Sequence, residues 1–177
     1  MLIDTLGHAK LCDFGATTEM ELGANWIATP EYASPEALEN YYNAKFKQFH
    51  VPHATDDLFA LGLVMFFIGS KVRSVELVQY YAIMSTQVCT EKSFPVVRRS
   101  RTLYVSFMRA YYTSGLFRDH IKTYPCQLRI DKLFFWMFKL VQLSPSARLS
   151  LEKLLESNLL QAAVKLSKER DASEMRN

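Results

Sequence analysis

Apolar residues recur with a helical period over most of this chain. Leu58–Gly69 reads LFALGLVMFFIG, apolar on every side, and predicts a fully buried helix from about Asp57 to Gly69. Thr55, Asp56 and Asp57 are its capping candidates, and Gly69 is its stop. SVELVQYYAIMSTQV and RTLYVSFMRAYYTSG alternate apolar and polar faces, which predicts two amphipathic helices. DKLFFWMFKLVQ is apolar nearly all round and predicts a deeply buried helix, broken by Ser144-Pro145-Ser146. SLEKLLESNLLQAAVKL reads as an amphipathic closing helix capped by Ser150. A shorter helix is expected over Pro35–Tyr42.

Strand signals are confined to the N-terminus. MLID and HAKLCDF read as two short strands joined by a turn at Thr5–Gly7. Gly15–Ile27 has no clean period and reads as a loop, and Asn43–Asp57 as a polar connection. The expected fold class is therefore mainly α: one helical domain over 1–166 with a two-stranded β-hairpin near its start. A charged, disordered tail is expected over 167–177.

Composition narrows the function classes. At 177 residues the chain has the length of a single domain. Only six glycines and six prolines exclude a collagenous or disordered class. A net charge of +3 is too mild to argue for nucleic acid or an anionic membrane, so neither is expected as a partner. Cys12, Cys89 and Cys126 are far apart and odd in number, with no zinc-ligand spacing. His50 and His53 share a loop with no third ligand nearby. A reduced intracellular compartment, cytoplasm or nucleus, follows as the expectation. No apolar run reaches the roughly 20 residues that a bilayer span needs.

The candidate chemistry lies near the N-terminus. Asp13-Phe14-Gly15 follows a strand signal. A carboxylate at a strand end can ligate a magnesium ion that holds phosphates, since magnesium prefers hard oxygen ligands. A glycine two positions on lets the backbone turn sharply after that ligand. Farther along come Thr29-Pro30-Glu31-Tyr32 and Ser34-Pro35-Glu36. Several other features have plainer readings. Cys12 is a small packing residue on a strand, Arg98, Arg99 and Arg101 form a solvated basic face, and Arg118-Asp119-His120 is a solvated helix-end cluster.

Taken in order, MLIDTLGHAKLCDFG, ATPEYASPEA, DDLFALG and LSPSARLSLEKLLE resemble the eukaryotic protein kinase family, in the C-terminal part of its catalytic domain. The resemblance runs from Met1 to about Leu160. It implies the helical C-lobe fold, with the N-lobe absent from these residues. Asp13, Phe14 and Gly15 resemble the magnesium- and ATP-binding motif that opens the activation segment. Ser34-Pro35-Glu36 resembles the motif that closes it. Thr29 resembles the threonine that positions the substrate hydroxyl in serine/threonine kinases. Asp57 resembles the start of the central helix, and Arg148 the arginine of the last motif, implied to form a buried ion pair with Glu36.

This chain also departs from the family pattern. Ala28 stands where the family has glycine, and Asn25 where many members carry a phosphorylatable threonine. Thr17 and Thr18 lie too close to Asp13 to replace it. The glycine-rich loop, strand lysine, helix glutamate and His-Arg-Asp loop all precede the Asp-Phe-Gly motif in the family, and only twelve residues precede it here. These 177 residues alone are therefore expected not to bind MgATP firmly or to transfer phosphate. Two readings follow: part of an active serine/threonine kinase that acts on protein substrates, or a catalytically dead remnant that binds a partner protein. The connections on either side of Asp57 are longer than in the family's compact members. The surplus is assigned to Asn43–His53 and part of Ser85–Tyr112, expected at the surface.

Overall fold

The structure is a computed structural model, and it describes residues 2–3, 5, 9–10, 12–17, 29–43, 51–86, 89–123 and 131–174. Most of the Gly15–Ile27 loop, including Thr18 and Asn25, lies outside the described residues, as do Ala28, His50 and Cys126. Within them the chain is mainly helical. Two strands of two residues each, β1 (Leu2–Ile3) and β2 (Ala9–Lys10), pair antiparallel, Leu2 with Lys10 and Ile3 with Ala9.

Helix α1 spans Pro35–Asn43 and α2 spans Ala54–Ser70. Proline at the first position of α1 has the fixed φ a helix start needs and lacks an N–H that would have gone unpaired. The start of α2 is closed by a reciprocal pair between His53 and Asp56, in which the Asp56 carboxylate accepts from the His53 N–H at 3.0 Å. Of the three capping candidates, Asp56 carries that bond. The helix ends one residue past Gly69, where Lys71 turns left-handed at φ 62°. Next come α3 (Ser74–Ser85), α4 (Phe94–Arg99), α5 (Arg101–Thr113) and α6 (Leu116–Thr123). The last three are α7 (Asp131–Leu140), α8 (Leu151–Leu155) and α9 (Asn158–Glu174).

The core forms where α2, α3, α5, α6 and α7 meet. Phe59, Leu63, Phe66, Val78, Tyr104, Val105, Met108, Tyr111 and Met137 are almost fully excluded from solvent there. Phe59 lies edge-on to Tyr112, with ring centroids 5.6 Å apart. Where α2 crosses α7 the backbones come close: a Cβ at Gly62 would sit 2.6 Å from Val141 Cγ1 and 2.9 Å from Leu140 Cβ. Glycine is therefore required at 62 by its neighbour, not by its own dihedrals.

Several expectations need correction. Helix α2 is buried on one side only, against the burial its composition predicts but in keeping with the exposed apolar surface that the resemblance implies for it. Leu61, Phe67 and Ile68 are about 40% exposed, because no described element covers that face. On α7, Met137 and Leu140 are buried but Phe135 is exposed. The expected closing helix is two, since α8 ends at Leu155 and α9 begins at Asn158. Helix α9 runs on to Glu174, past the point where a tail was expected. The segment assigned to a surface insertion contains α5, whose Tyr104, Val105, Met108, Tyr111 and Tyr112 repeat at helical spacing and fill the core. Cys12 is exposed and lies beyond β2. Among the described residues no single helix is long and apolar enough to cross a membrane, and the two most apolar neighbours, α2 and α3, meet at 88°.

Candidate functional site

Asp13 opens a 3₁₀ turn over Phe14–Ala16 and is left-handed, with φ 66° and ψ 63°. For a side chain with a Cβ this region costs roughly 1–2 kcal/mol, and aspartate is among the few residues that visit it. The sharp bend therefore falls at the carboxylate residue and not at Gly15, where the glycine had been assigned that task. A Cβ on Gly15 would meet only Asp13 Oδ1, at an ordinary 3.7 Å. Phe14 is 66% exposed. The Asp13 side chain caps nothing. Among the described residues no three His, Cys, Asp or Glu side chains gather into a metal-binding group. A lone exposed carboxylate fits magnesium only in the mode where phosphates and water fill the other positions.

Thr29 precedes a second 3₁₀ turn, Pro30–Tyr32, and is exposed, with a side chain that makes no capping bond. Glu31 in that turn is buried, 8% exposed. Its Oε1 accepts from Arg98 Nε at 3.0 Å and from Nη2 at 2.8 Å. Arg98, read from sequence as part of a solvated basic face, is half-exposed but paired. Neither partner is recognisable locally, because 67 positions separate them.

Ser34 closes the turn and starts α1. Its Oγ accepts from the Ala37 N–H at 3.1 Å and donates to Asp56 Oδ1 at the start of α2. One hydroxyl thus caps one helix and ties it to the next. Nothing in the Ser-Pro-Glu order pointed to Asp56.

Glu36, in the first turn of α1, meets Arg148, which follows a 3₁₀ turn over Pro145–Ala147. The pair spans 112 positions. Arg148 Nη2 donates to Glu36 Oε2 at 2.7 Å, and Nη1 donates to Oε1. The remaining donors reach backbone carbonyls: Nε to Gln142 at 2.7 Å, Nη1 to Thr55 at 3.2 Å and Nη2 to Leu143 at 3.2 Å. A guanidinium has five N–H groups, and all five are used. Its carbon sits 4.8 Å from the centroid of the Phe59 ring. The Arg148 side chain is 0% exposed and that of Glu36 22%. The arginine thereby joins the end of α7, the first turn of α1 and the first turn of α2.

Asp57 lies in the first turn of α2, exposed at its surface and outside this network. Partial burial, with Asp56 beside it, raises its carboxyl above the usual value. The Arg118-Asp119-His120 cluster sits on α6. Arg118 and Asp119 are exposed, as expected, whereas His120 is half-buried, with Nδ1 3.0 Å from the Tyr111 hydroxyl and its ring edge-on to Tyr80. The structure thus joins Glu36 to Arg148, while Asp13, Thr29 and Asp57 bond to neither of them among the described residues. No protein-family model, curated protein or solved structure matches the chain.

Proposed function

We propose that these residues are the C-terminal part of a serine/threonine protein kinase domain, which transfers phosphate from MgATP to protein hydroxyls. The observation that carries the reading is the Glu36–Arg148 pair. The resemblance required these two distant residues to meet; two N–H groups of Arg148 go to Glu36 and its other three to backbone carbonyls. Asp13 lends support as an exposed carboxylate held in a strained left-handed turn, because such strain persists where surrounding structure enforces it and clusters at functional sites. In this reading Asp13 is the magnesium ligand. Phe14 and Gly15 flank the nucleotide, and Thr29 faces the substrate hydroxyl. Glu36 and Arg148 anchor the activation segment. Phosphoryl transfer in the family is mostly positioning and charge neutralisation, so one magnesium ligand without a phosphate cradle is not enough. The alternative is a catalytically dead remnant that binds a partner protein.

The transcript upstream of the Met1 codon tests the reading. An open frame encoding a glycine-rich loop, a strand lysine and a His-Arg-Asp loop is expected, and the joined polypeptide should lose phosphate transfer on Asp13→Ala. An upstream stop codon in frame would favour the remnant. The 177 residues by themselves should transfer no radiolabelled phosphate from ATP to a basic protein. Robust transfer by them, abolished by Asp13→Ala, would contradict the stated need for the upstream elements.

A further inference from the structure

The Thr29–Tyr32 turn rests on the segment that the family comparison treated as surplus. Helix α4 supplies Arg98, which holds Glu31 through two N–H groups on one carboxylate oxygen. Helix α5 supplies Tyr104, 1% exposed, whose buried hydroxyl completes no hydrogen bond. Burial first, and the Glu31 charge second, push this phenol well above its ordinary range, with Arg98 opposing. Helix α5 also supplies Tyr112, whose hydroxyl donates to the Ala33 carbonyl at 3.4 Å. Phe94 of α4 packs edge-on against Tyr104, with centroids 6.1 Å apart, so the holding groups are themselves braced.

The two charges differ in what they can do. The Arg98 side chain is 53% exposed and can swing into water at little cost, whereas that of Glu31 is 11% exposed. A carboxylate left there alone keeps its desolvation penalty. It must then recruit Tyr104 or leave its site, and leaving carries the turn with it. The nearest amides of the turn report such a departure: Tyr32 N–H donates to the Thr29 carbonyl and Ala33 N–H to that of Pro30, both at 3.1 Å.

We infer that Arg98 and Tyr104 are positioning residues: acting through Glu31, they fix the Thr29–Tyr32 turn and thereby the place at which Thr29 meets a protein substrate. The substrate part rests on the kinase reading above; the hold on the turn does not. Arg98 and Tyr104 act as alternative holders of one carboxylate, so losing both is worse than the sum of losing each.

Amide hydrogen exchange on the full 177-residue chain tests this, with probes in the turn compared with probes in α2, α5 and α7. Arg98→Ala should speed exchange at Tyr32 and Ala33 by about tenfold while the core helices keep their protection. Tyr104→Phe should do less alone and should amplify the effect of Arg98→Ala. Arg98→Lys should recover part of the protection, because it restores a donor to Glu31. Three results would each overturn the inference: unchanged exchange in the turn on Arg98→Ala, an equal rise throughout the core, or a lysine variant no better than alanine. An upstream stop codon would remove the substrate role of Thr29 and leave the exchange result to decide the hold on the turn.

Discussion

Replacing Arg148 by alanine should be the most damaging change to this domain, although the residue touches no substrate in the proposed reading. Removing one member of a buried ion pair costs about 3–5 kcal/mol, because the other charge is left without compensation. Two features of the structure adjust that figure in opposite directions. The Glu36 side chain is 22% exposed and recovers some hydration, which lowers the cost. The carbonyls of Thr55, Gln142 and Leu143 lose their donor together, at about 1 kcal/mol for each bond left unmade, which raises it. Phe59 also loses the cation over its ring. A loss of about 3–5 kcal/mol therefore stands, against a total domain stability of about 5–15 kcal/mol.

Urea unfolding followed by far-ultraviolet circular dichroism measures it. With a slope of about 2 kcal/mol per molar, the midpoint should fall by about 1.5–2.5 M. Arg148→Lys should lie between wild type and alanine, because lysine keeps the charge but lacks the planar fork that serves two oxygens at once. A cycle combining Arg148→Met with Glu36→Gln should show strong coupling. A midpoint shift under about 0.3 M, the size expected of an ordinary surface substitution, would refute the reasoning, and so would additivity in the cycle.

Three further outcomes are expected. Gly62→Ala should cost about 1–3 kcal/mol, since its methyl must displace Val141 and Leu140 where α2 crosses α7; a neutral change in thermal unfolding would show that this crossing yields freely. Burial holds His120 below its ordinary 6.5, against the upward pull of Asp119, so its contribution to stability is complete above that value and is lost as pH falls through the folded one; His120→Gln should flatten the acid side of the midpoint-versus-pH curve, and identical curves would exclude the residue as the cause. The exposed face of α2 carrying Leu61, Phe67 and Ile68 should drive self-association of the isolated chain, which Leu61→Lys with Ile68→Lys should reduce in sedimentation velocity; a monomeric wild type with a sharp thermal transition would contradict this.

Periodicity located the long helices well and their exposure poorly, for a physical reason. An all-apolar run says that a helix prefers burial, but not which of its faces the neighbouring elements cover. Helices α2 and α7 show the gap: Leu61, Ile68 and Phe135 have the composition of core residues and face outward. Helix α5 shows the opposite error. Its apolar repeat at Tyr104, Val105, Met108, Tyr111 and Tyr112 already described a core-facing helix. A comparison of connection lengths moved the segment to the surface, and burial of that repeat against α2, α3 and α6 overrides the comparison.

At the candidate site, legibility depended on how far apart the partners lie and on what selects them. Glu36 and Arg148 could be paired before any coordinates because a resemblance supplied the long-range link. Glu31 and Arg98 had no such guide, nor had Ser34 and Asp56, and a glutamate in a turn or an arginine in a basic run has the composition of a solvated surface. What makes them structural is local and invisible in spacing. The 3₁₀ turn after Thr29 turns the Glu31 side chain inward, where it is 11% exposed and accepts two N–H groups of Arg98. Arg98 reaches it from the end of a six-residue helix that also buries Phe94 and packs Val97 against the core. Helix α4 therefore turns Phe94 and Val97 to the core and Arg98 to the turn. Arg98 thus ties a segment outside the motifs of the resemblance to the turn that carries Thr29.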